Sequence, residues 1–597
     1  MSSAEQPSSK YGAQGEFKIS SLISKIFNIL GPERDFYSLA MIYGVGISLL
    51  SLATPISVQM LINTVANTGL AAPLIVLSLT LFGLLLMSGL LNAMRIHLME
   101  IFGRRFYARL VSEIAIRALY AKNPFFHDDG RGPLFNRYFD IVIVQKTMPG
   151  LFIGGFTLIL QAGVGFVLVS FYHPLFLAFN AVLVALLWAV WLVWGKKAIS
   201  TSINLSHRKH MAAAWLEGLA ASNGFFKTPH HIAYALTQTD AVTGRYIDEH
   251  RQHFRQHFSQ AISFLIIYAA ASAALLGLGG WLVIQGQLSL GQLVAAELVL
   301  SAVFFGISQL SYYLVYFYDL CAAVEELSLF LDVELEEPDR AAGYIGQDAS
   351  LSFVDVRGES RGAPTVLNFE IPCSATVMAT TQSHGLQRLI TNLLKRREPP
   401  HGGYVALGGA DISDADTSTL HQEIIVLDRP TVIEMSIREY LHLSAEDVSP
   451  PRVLEVLKLV GLNGVVAQFE DGLDTHIAST GWPLSITETM LLKLASAIIS
   501  RPKVLVLNQL YDLVAEDCLA RAIAHLQADK SNTVLYFTRR RRNLGFDTFL
   551  YAEPERQFIF ENFENFAKVA YGENGSLESD EAGDVYAKEP PALVGKH

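Results

Sequence analysis

The hydrophobic positions give the two halves of the chain different characters. In the first half, six apolar stretches reach the roughly 20 residues that a helix needs to cross a bilayer. They lie at 36–58, 74–96, 151–172, 175–194, 259–284 and 290–316. Only a few residues around His173 and Pro174 separate the third stretch from the fourth, which predicts a tight hairpin. The first half is therefore predicted to be an all-α, six-helix transmembrane domain in a lipid bilayer.

A shorter apolar pattern precedes the first stretch. Ile19, Leu22, Ile23, Ile26 and Ile29 recur at the spacing of one helical face. This pattern predicts an amphipathic elbow helix on the membrane surface. The polar N-terminal extension at 1–18 lacks the layout of a signal peptide. We therefore expect the membrane domain to occupy residues 19–330.

The charges between the apolar stretches predict an orientation. The segments 59–73 and 285–289 carry no charged residue, whereas the long loops at 97–150 and 195–258 carry several arginines and lysines. By the positive-inside rule, the long loops and both termini lie in the cytoplasm. The long loops also have helical patterns, so the membrane helices are expected to continue into the cytoplasm.

Residues 351–571 have a different periodicity. Short apolar runs at 376–379, 424–427, 504–507 and 533–537 alternate with helical patterns. That alternation is typical of an α/β domain with a largely parallel sheet. A charged linker is predicted at 331–350, and the polar, acidic tail at 572–597 is predicted to be disordered. The predicted fold class is thus multi-domain, with a six-helix transmembrane domain followed by an α/β domain.

Composition narrows the set of partners. The formal net charge is −11 and 51% of the residues are hydrophobic, which argues against nucleic acid as the main partner. The three cysteines lie far apart without metal-ligand spacing, so we expect reduced thiols and no disulfide framework.

One stretch of the second half resembles the nucleotide-binding domain of ABC transporters. Residues 481–488 read GWPLSITE and residues 494–509 read LASAIISRPKVLVLNQ. They are similar to the family's LSGGQ signature, alanine-rich helix and Walker B strand, and DGLDT at 471–475 precedes them as in the family. Together with the predicted layout, the chain resembles an ABC exporter half-transporter over about residues 19–571. The resemblance implies a P-loop-like nucleotide-binding domain and ATP-driven transport by a dimer.

The residues at the family's P-loop depart from its pattern, Gly-x-x-x-x-Gly-Lys-Ser/Thr, in which the lysine reaches phosphates and the hydroxyl holds magnesium. Gly385 is kept, but Leu386 stands at the lysine position and Gln387 at the hydroxyl position. Thr380 and Ser383 replace small, permissive residues. We therefore predict a structural strand–turn–helix here rather than tight ATP binding.

The resemblance also implies that the catalytic positions are degenerate. Asn508 and Gln509 stand where the Walker B strand ends in aspartate and glutamate. Neutral amides coordinate Mg²⁺ poorly and do not act as general bases. Asp428 stands at the Q-loop glutamine, and Arg539 stands at the switch histidine and opens the arginine run 539–542. We predict no intact catalytic residue, a solvated Asp428, and an arginine run that is a solvated face or a partner contact.

The signature positions are changed as well. In the family, the signature glycines let the backbone approach the γ-phosphate bound by the partner domain. Here Ser485 is kept, Ile486 and Thr487 replace the glycines, and Glu488 follows. The resemblance therefore implies that the chain offers a poor second face to a partner's ATP.

Two features of the membrane half are candidates for chemistry. Glu297 lies within the sixth apolar stretch, and an ionisable residue in a span is a functional candidate. A transport-path role and a structural role at the outer interface stay open. His250, His253 and His257 share one predicted helix face. We predict a polar helix face there rather than a metal site.

Three functions follow from these patterns. The first is the non-catalytic half of a heteromeric ABC exporter, in which a second half-transporter with intact motifs holds ATP and Mg²⁺. The second is a pseudo-ATPase scaffold or regulator with further membrane or periplasmic partners. The third, an active homodimeric exporter, lacks the site it needs. We favour the first, in a bacterial inner membrane with the nucleotide-binding domain in the cytoplasm; an organelle membrane is the alternative.

Overall fold

The computed structural model describes residues 19–62, 71–123, 132–336, 346 and 348–572. By its internal contacts the chain divides into two compact units, with the boundary between Leu335 and Glu336. The predicted extension at 1–18, the tail beyond Gly572 and half of the predicted linker lie outside the described residues.

The first unit is helical through nearly all of its described residues. Short 3₁₀ or π turns join several neighbouring helices at Gly31–Glu33, Gly132–Phe139, Gly150–Gly155 and Trp191–Gly195. The helices are α1 (Ile19–Leu30), α2 (Arg34–Leu50), α3 (Ala53–Met60), α4 (Ala71–Leu119), α5 (Asp140–Pro149), α6 (Phe156–Ser170), α7 (Pro174–Val190), α8 (Lys196–Ala221), α9 (Pro229–Ile284) and α10 (Leu290–Leu331).

Six helical segments of the described chain are long and apolar enough to cross a membrane. They are Ser20–Met60, Ala72–Leu119, Gly132–Ser170, Pro174–Ala221, Pro229–Ile284 and Leu290–Leu331. Each overlaps one of the six predicted stretches, so the six-helix prediction is confirmed. Helix α9 has 56 residues, or roughly 84 Å at 1.5 Å per residue. A hydrocarbon core is only about 30 Å thick, so this helix extends well beyond one, as the helical pattern of the long loops predicted.

Two details refine the prediction for the first stretch. Helix α1 forms at the predicted elbow, with Leu22 and Ile29 buried and Phe27 71% exposed. The stretch at 36–58 is not one helix, because α2 ends at Leu50 and α3 begins at Ala53. Pro55 accounts for the break, since it lacks an N–H and its ring clashes with the carbonyl four residues earlier.

The second unit is an α/β domain. Its strands are β1 (Leu351–Ser360), β2 (Ala363–Ile371), β3 (Thr376–Thr381), β4 (Gly402–Leu407), β5 (Ala410–Asp411), β6 (Ile424–Leu427), β7 (Met435–Ser436), β8 (His476–Ile477), β9 (Val504–Leu507), β10 (Thr533–Phe537), β11 (Thr548–Ala552) and β12 (Gln557–Phe560). Its helices are α11 (His384–Leu394), α12 (Thr417–Glu423), α13 (Ile437–His442), α14 (Pro450–Val460), α15 (Asn463–Val466), α16 (Ile486–Ser500), α17 (Glu516–Asp529) and α18 (Phe563–Tyr571).

The main sheet has the order β12-β11-β3-β10-β9-β6. All its neighbouring strands pair in parallel except β11 and β12. The four apolar runs identified in the sequence are β3, β6, β9 and β10, so the predicted α/β class is confirmed. Side chains of β9 alternate between two apolar cores, with Val504 and Val506 in one and Leu505 and Leu507 in the other. Burial on both faces explains why these strands are continuous apolar runs.

Candidate functional site

The sheet brings most of the predicted site residues to one edge. Strands β3, β10 and β9 are consecutive neighbours, so their carboxyl ends lie side by side, where ligands bind in open α/β sheets. A small polar depression lies at this edge. It is lined by Ala379, Thr381, His384, Gln387, Gln509, Phe537, Thr538 and Arg539.

The turn after β3 is short and closed by its own hydrogen bonds. Only Gln382 and Ser383 separate β3 from α11, and Ser383 Oγ accepts a hydrogen bond from the Leu386 N–H at 3.3 Å. Thr380 Oγ1 donates to the Thr538 carbonyl at 2.8 Å, which ties the end of β3 to the end of β10. A cap of this kind satisfies one of the free amides of a helix start.

The two residues at the lysine and hydroxyl positions point to different places. Leu386 is fully buried in the apolar core with Leu389 and Ile390, and it does not line the depression. Gln387 is 4% exposed and does line it. A side chain at position 386 in this conformation therefore contributes to core packing rather than to an anion site.

Gly385 is required by packing in this conformation. A Cβ atom at this position would lie 2.8 Å from Ser360 Oγ and 2.8 Å from Arg361 Cγ. The hairpin between β1 and β2 therefore rests directly on the first turn of α11. The resemblance to ABC transporters implies that an aromatic residue that stacks on adenine lies near Ser360. Ser360 itself is buried.

Asn508 uses its amide for structure. Its Nδ2 donates to the Asp428 carbonyl at 2.7 Å, and its Oδ1 accepts from the Leu510 N–H at 2.9 Å. The side chain is 6% exposed. A carboxylate at this position would be unable to donate, and it would face the Asp428 carbonyl oxygen. Gln509 is half-buried and lines the depression.

Asp428 differs from the predicted solvated acid. Its side chain is half-buried, and one carboxylate oxygen lies 3.6 Å from Arg397 Nη1. Burial lowers the pKa of the Arg397 guanidinium, and the Asp428 carboxylate opposes that effect. Lys493 Nζ donates to the neighbouring carbonyl of Arg429 at 2.6 Å. The sequence concealed these partners because Arg397 follows α11 and Lys493 lies on α16, both far from Asp428 along the chain.

The arginine run is not uniformly solvated. The Arg540 side chain is only 11% exposed, and its Nη2 donates to the carbonyls of Asp512, at 2.8 Å, and Val514. The Asp512 carboxylate accepts from the Tyr536 hydroxyl, and burial is the main cause that raises the pKa of this phenol. Arg540 is therefore an internal clamp, whereas Arg539, Arg541 and Arg542 are exposed.

The signature positions form a self-capped helix start. The Ser485 N–H donates to Glu488 Oε2 at 2.8 Å, and the Glu488 N–H donates to Ser485 Oγ at 3.3 Å, which is a capping box. Thr487 Oγ1 lies 3.2 Å from Ser485 Oγ. Ile486 and Trp482 are 58% and 74% exposed. A carboxylate at a helix N-terminus takes the position that favours an anion, so it opposes the approach of a phosphate.

These donors are a poor fit for a magnesium nucleotide. Mg²⁺ is usually bound through carboxylates and substrate phosphates. The depression is lined by amide, hydroxyl, imidazole and guanidinium groups, together with Ala379 and Phe537. It therefore lacks a lining carboxylate within the described part of the chain.

In the first unit, Glu297 lies near the start of α10. Its Oε1 accepts from Ser301 Oγ at 2.9 Å, and its Oε2 is buried without a hydrogen-bond partner among the described residues. The three histidines on one helix face do not share a site. His253 Nδ1 lies 3.1 Å from Thr201 Oγ1, His257 is near Ser311 and His250 is exposed.

Sequence reasoning missed a buried carboxylate at the start of α5. Asp140 is 1% exposed and lies 2.8 Å from Lys209 Nζ and 2.6 Å from His210 Nε2, both on α8. The partners are about 70 residues apart in the sequence, and no periodicity signals such a pair.

Sequence reasoning also missed a second buried carboxylate and a buried arginine. Glu326 on α10 is fully buried and lies 2.5 Å from Arg137 Nε and 2.7 Å from His207 Nδ1. Arg95 on α4 is 2% exposed, donates to Asn92 Oδ1 at 2.7 Å and contacts Thr157. Arg95 is the second-last residue of the apolar stretch at 74–96. The hydrophobic pattern of that stretch gave no sign that the arginine is buried.

Comparison with known proteins finds a family match within the first unit. Residues 37–217 match the family described as the ABC transporter transmembrane region. The solved "Structure of a bacterial Atm1-family ABC exporter with ATP bound" aligns with a TM-score of 0.76, covers 90% of this chain and 97% of that chain, and is 16% identical in sequence. Residues 37–217 are thus similar to an ABC transporter transmembrane region, and the chain shares the fold of that solved exporter.

Curated relatives match a smaller part of the chain. "Leukotoxin translocation ATP-binding protein LktB" of Mannheimia glucosida is 28% identical over 239 residues, which is 39% of this chain and 34% of the relative. The protein of the same name from Bibersteinia trehalosi matches to the same extent. The match therefore spans about a third of the length of these relatives.

Proposed function

We propose that this chain is the non-catalytic half of a heteromeric ABC exporter. The six-helix unit belongs to the translocation path across the bilayer, and the α/β unit forms the scaffold for a nucleotide-binding partner. The names of the LktB relatives describe translocation and ATP binding. We extend the first property to this chain and assign the second to a partner subunit with intact motifs.

The burial of Leu386 carries this proposal. The position that resembles the P-loop lysine belongs to the apolar core, so no ammonium reaches a phosphate from there. The amides Asn508 and Gln509 support the same conclusion, since one of them is already engaged with the Asp428 carbonyl. With neither the lysine nor a carboxylate available, turnover of ATP has to come from another subunit.

The test is gentle purification of the tagged chain from its native membrane, followed by mass spectrometry. We expect a stoichiometric second ABC subunit with an intact P-loop and Walker B strand. The isolated chain is expected to show no appreciable ATP binding, whereas the complex hydrolyses ATP. Recovery of the chain only with itself would contradict the heteromeric assignment.

The start of α16 supports a second candidate, a pseudo-ATPase scaffold that does not transport. Glu488 occupies the helix start that resembles the signature, so the chain offers an unfavourable face to a partner's nucleotide. In that case the chain would copurify with unrelated membrane or periplasmic proteins. Substrate efflux from vesicles that contain the purified complex would exclude this candidate.

A further inference from the structure

The exposed arginines beside the depression form a patch that we name the arginine face, consisting of Arg539, Arg541 and Arg542. The inward clamp of Arg540 fixes the backbone between them, so its neighbours extend outward. Arg542 lies 3.4 Å from Glu516. Neither Arg539 nor Arg541 pairs with a carboxylate of the described chain through its side chain.

The arginine face continues into the depression. Arg539 lines it together with Gln387. The Gln387 side chain is 96% buried, being 4% exposed, and it makes no side-chain hydrogen bond to any described residue. An amide donor and a guanidinium that converge on one polar hollow suit an anionic oxygen.

The C-terminal helix delivers the chain to this face. Helix α18 ends at Tyr571, whose hydroxyl donates to the Arg540 carbonyl. The guanidinium carbon of Arg541 lies 5.7 Å from the centre of the Tyr571 ring. The chain therefore leaves the described structure at the edge of the arginine face.

The residues that follow have the complementary charge. Between positions 573 and 584 the sequence carries five carboxylates and no cation; the carboxylates belong to Glu573, Glu578, Asp580, Glu581 and Asp584. An extended chain spans at most about 3.3–3.6 Å per residue. Residue 581 therefore reaches roughly 30 Å from Gly572, which is ample for a neighbouring patch.

We propose that the acidic segment 573–584 binds the arginine face and places a carboxylate at the depression against Arg539. A carboxylate of the same chain would thereby occupy the anion position at this sheet edge. The proposal is independent of the heteromeric assignment, because it concerns contacts within one chain and holds with or without a catalytic partner.

Hydrogen exchange of the full-length chain in nanodiscs tests the proposal. The first variant neutralises the segment with Glu573→Gln, Glu578→Gln, Asp580→Asn, Glu581→Gln and Asp584→Asn. The matched control neutralises five exposed carboxylates elsewhere in the second unit, at Glu446, Asp447, Glu470, Asp471 and Glu555.

We expect the amides of 539–545 to exchange roughly three- to tenfold faster in the first variant, the range for two or three exposed ion pairs. The control should match the unaltered chain, and high salt should abolish the difference. Equal exchange in both variants would overturn the proposal.

A cross-link gives an independent readout. Arg541→Lys keeps the charge and supplies an amine that a carbodiimide couples to a carboxylate. Mass spectrometry should locate the new bond to residues 573–584 within one chain. In a mixture of isotope-labelled and unlabelled chains, bonds mainly between chains would contradict the proposal, as would the absence of any bond to that segment. A third outcome would contradict the proposal. If inorganic phosphate slows exchange at 539–545 in the neutralised variant and Arg541→Lys forms no cross-link, the arginine face binds free phosphate instead.

Discussion

The helical unit and the turns that resemble the P-loop and Walker B positions differ in their use of buried charge. In the helical unit, Asp140 and Glu326 are at most 1% exposed, and each keeps two basic partners on other elements. At the carboxyl edge of the sheet, the positions that resemble charged catalytic residues are occupied by Leu386 and Asn508. Charged side chains are thus retained where they join helices. Uncharged side chains stand at the positions that resemble a nucleotide site.

The difference shows how a fold persists when one kind of site is altered. A buried carboxylate without its partner costs several kcal/mol, so the pairs of the helical unit have to be kept together. At the sheet edge, an apolar contact and a pair of neutral hydrogen bonds hold the same turns. The α/β framework therefore does not depend on charged side chains at these positions.

The largest expected effect comes from returning a cation to the sheet edge with Leu386→Lys. A fully buried lysine has its pKa lowered by about 3–5 units from about 10.4, and at about 1.4 kcal/mol per unit the loss of stability at pH 7 is about 4–5 kcal/mol. The unfolded chain then binds the extra proton, so stability should recover as the pH is raised towards 10. Thermal unfolding of the second unit measures the loss.

Leu386→Met is the control for that change, since a volume-conserving apolar exchange costs less than about 1.5 kcal/mol. We expect it to melt close to the unaltered chain. Normal stability of Leu386→Lys at neutral pH would mean that position 386 turns towards solvent, contrary to its burial.

The next largest effect is expected in the helical unit with Glu326→Gln. This change removes the buried carboxylate from Arg137 and His207, whose side chains are 17% and 37% exposed. Partial exposure of both partners puts the cost near the lower end for a buried pair, about 3 kcal/mol. The exposed pair of Glu100 and Arg104, 3.2 Å apart, provides the control. Glu100→Gln should cost less than about 1 kcal/mol. Similar melting of the two variants in detergent would refute the difference between buried and exposed pairs.

A smaller effect is expected from Asn508→Asp, which returns the family's carboxylate. The variant loses the hydrogen bond to the Asp428 carbonyl, and a carboxylate oxygen then lies opposite the carbonyl oxygen. The expected cost is about 1–3 kcal/mol. Gln509→Glu is the matched variant, because Gln509 is half-buried beside the polar depression. Its melting temperature should change little. A stabilising effect of Asn508→Asp on addition of Mg²⁺ would point to a metal site that the amide had hidden.

The smallest effect concerns Lys395, a largely buried cation whose Nζ donates to the Ile424 carbonyl at 2.5 Å. Burial lowers the pKa of this ammonium to about 8. Because the folded-state pKa lies below the unfolded value, stability should rise with pH above about 8, by about 1–2 kcal/mol at pH 9.5. Lys395→Met should flatten the profile of unfolding free energy against pH. If the slope of the profile is unchanged in Lys395→Met, the pH dependence of stability comes from other groups.

Much of the fold could be predicted because periodicity is local. Apolar stretches long enough for a bilayer gave the six helices, and the run at 504–507 gave β9, which is buried on both faces. The break at Pro55 was missed within a long apolar stretch, although the proline was a usable signal.

The candidate site was predictable only in part. The positions of Leu386, Asn508 and Arg539 followed from order along the chain, and the parallel sheet brings their loops to one edge. The hydrogen bonds of Asn508 and the inward clamp of Arg540 were not predictable, since their partners come from other strands and loops. The pairs of Asp140 and Glu326 were hidden for the same reason.

We propose that this chain does not turn over ATP by itself. The most direct test is the ATPase rate of the purified chain in nanodiscs, alongside a Gln509→Ala variant prepared in parallel. We predict that both preparations show the same background rate and that this rate responds to Mg²⁺-ATP in the same way in both. A substantial rate that falls in Gln509→Ala would contradict the account, because it would make position 509 part of a working ATPase.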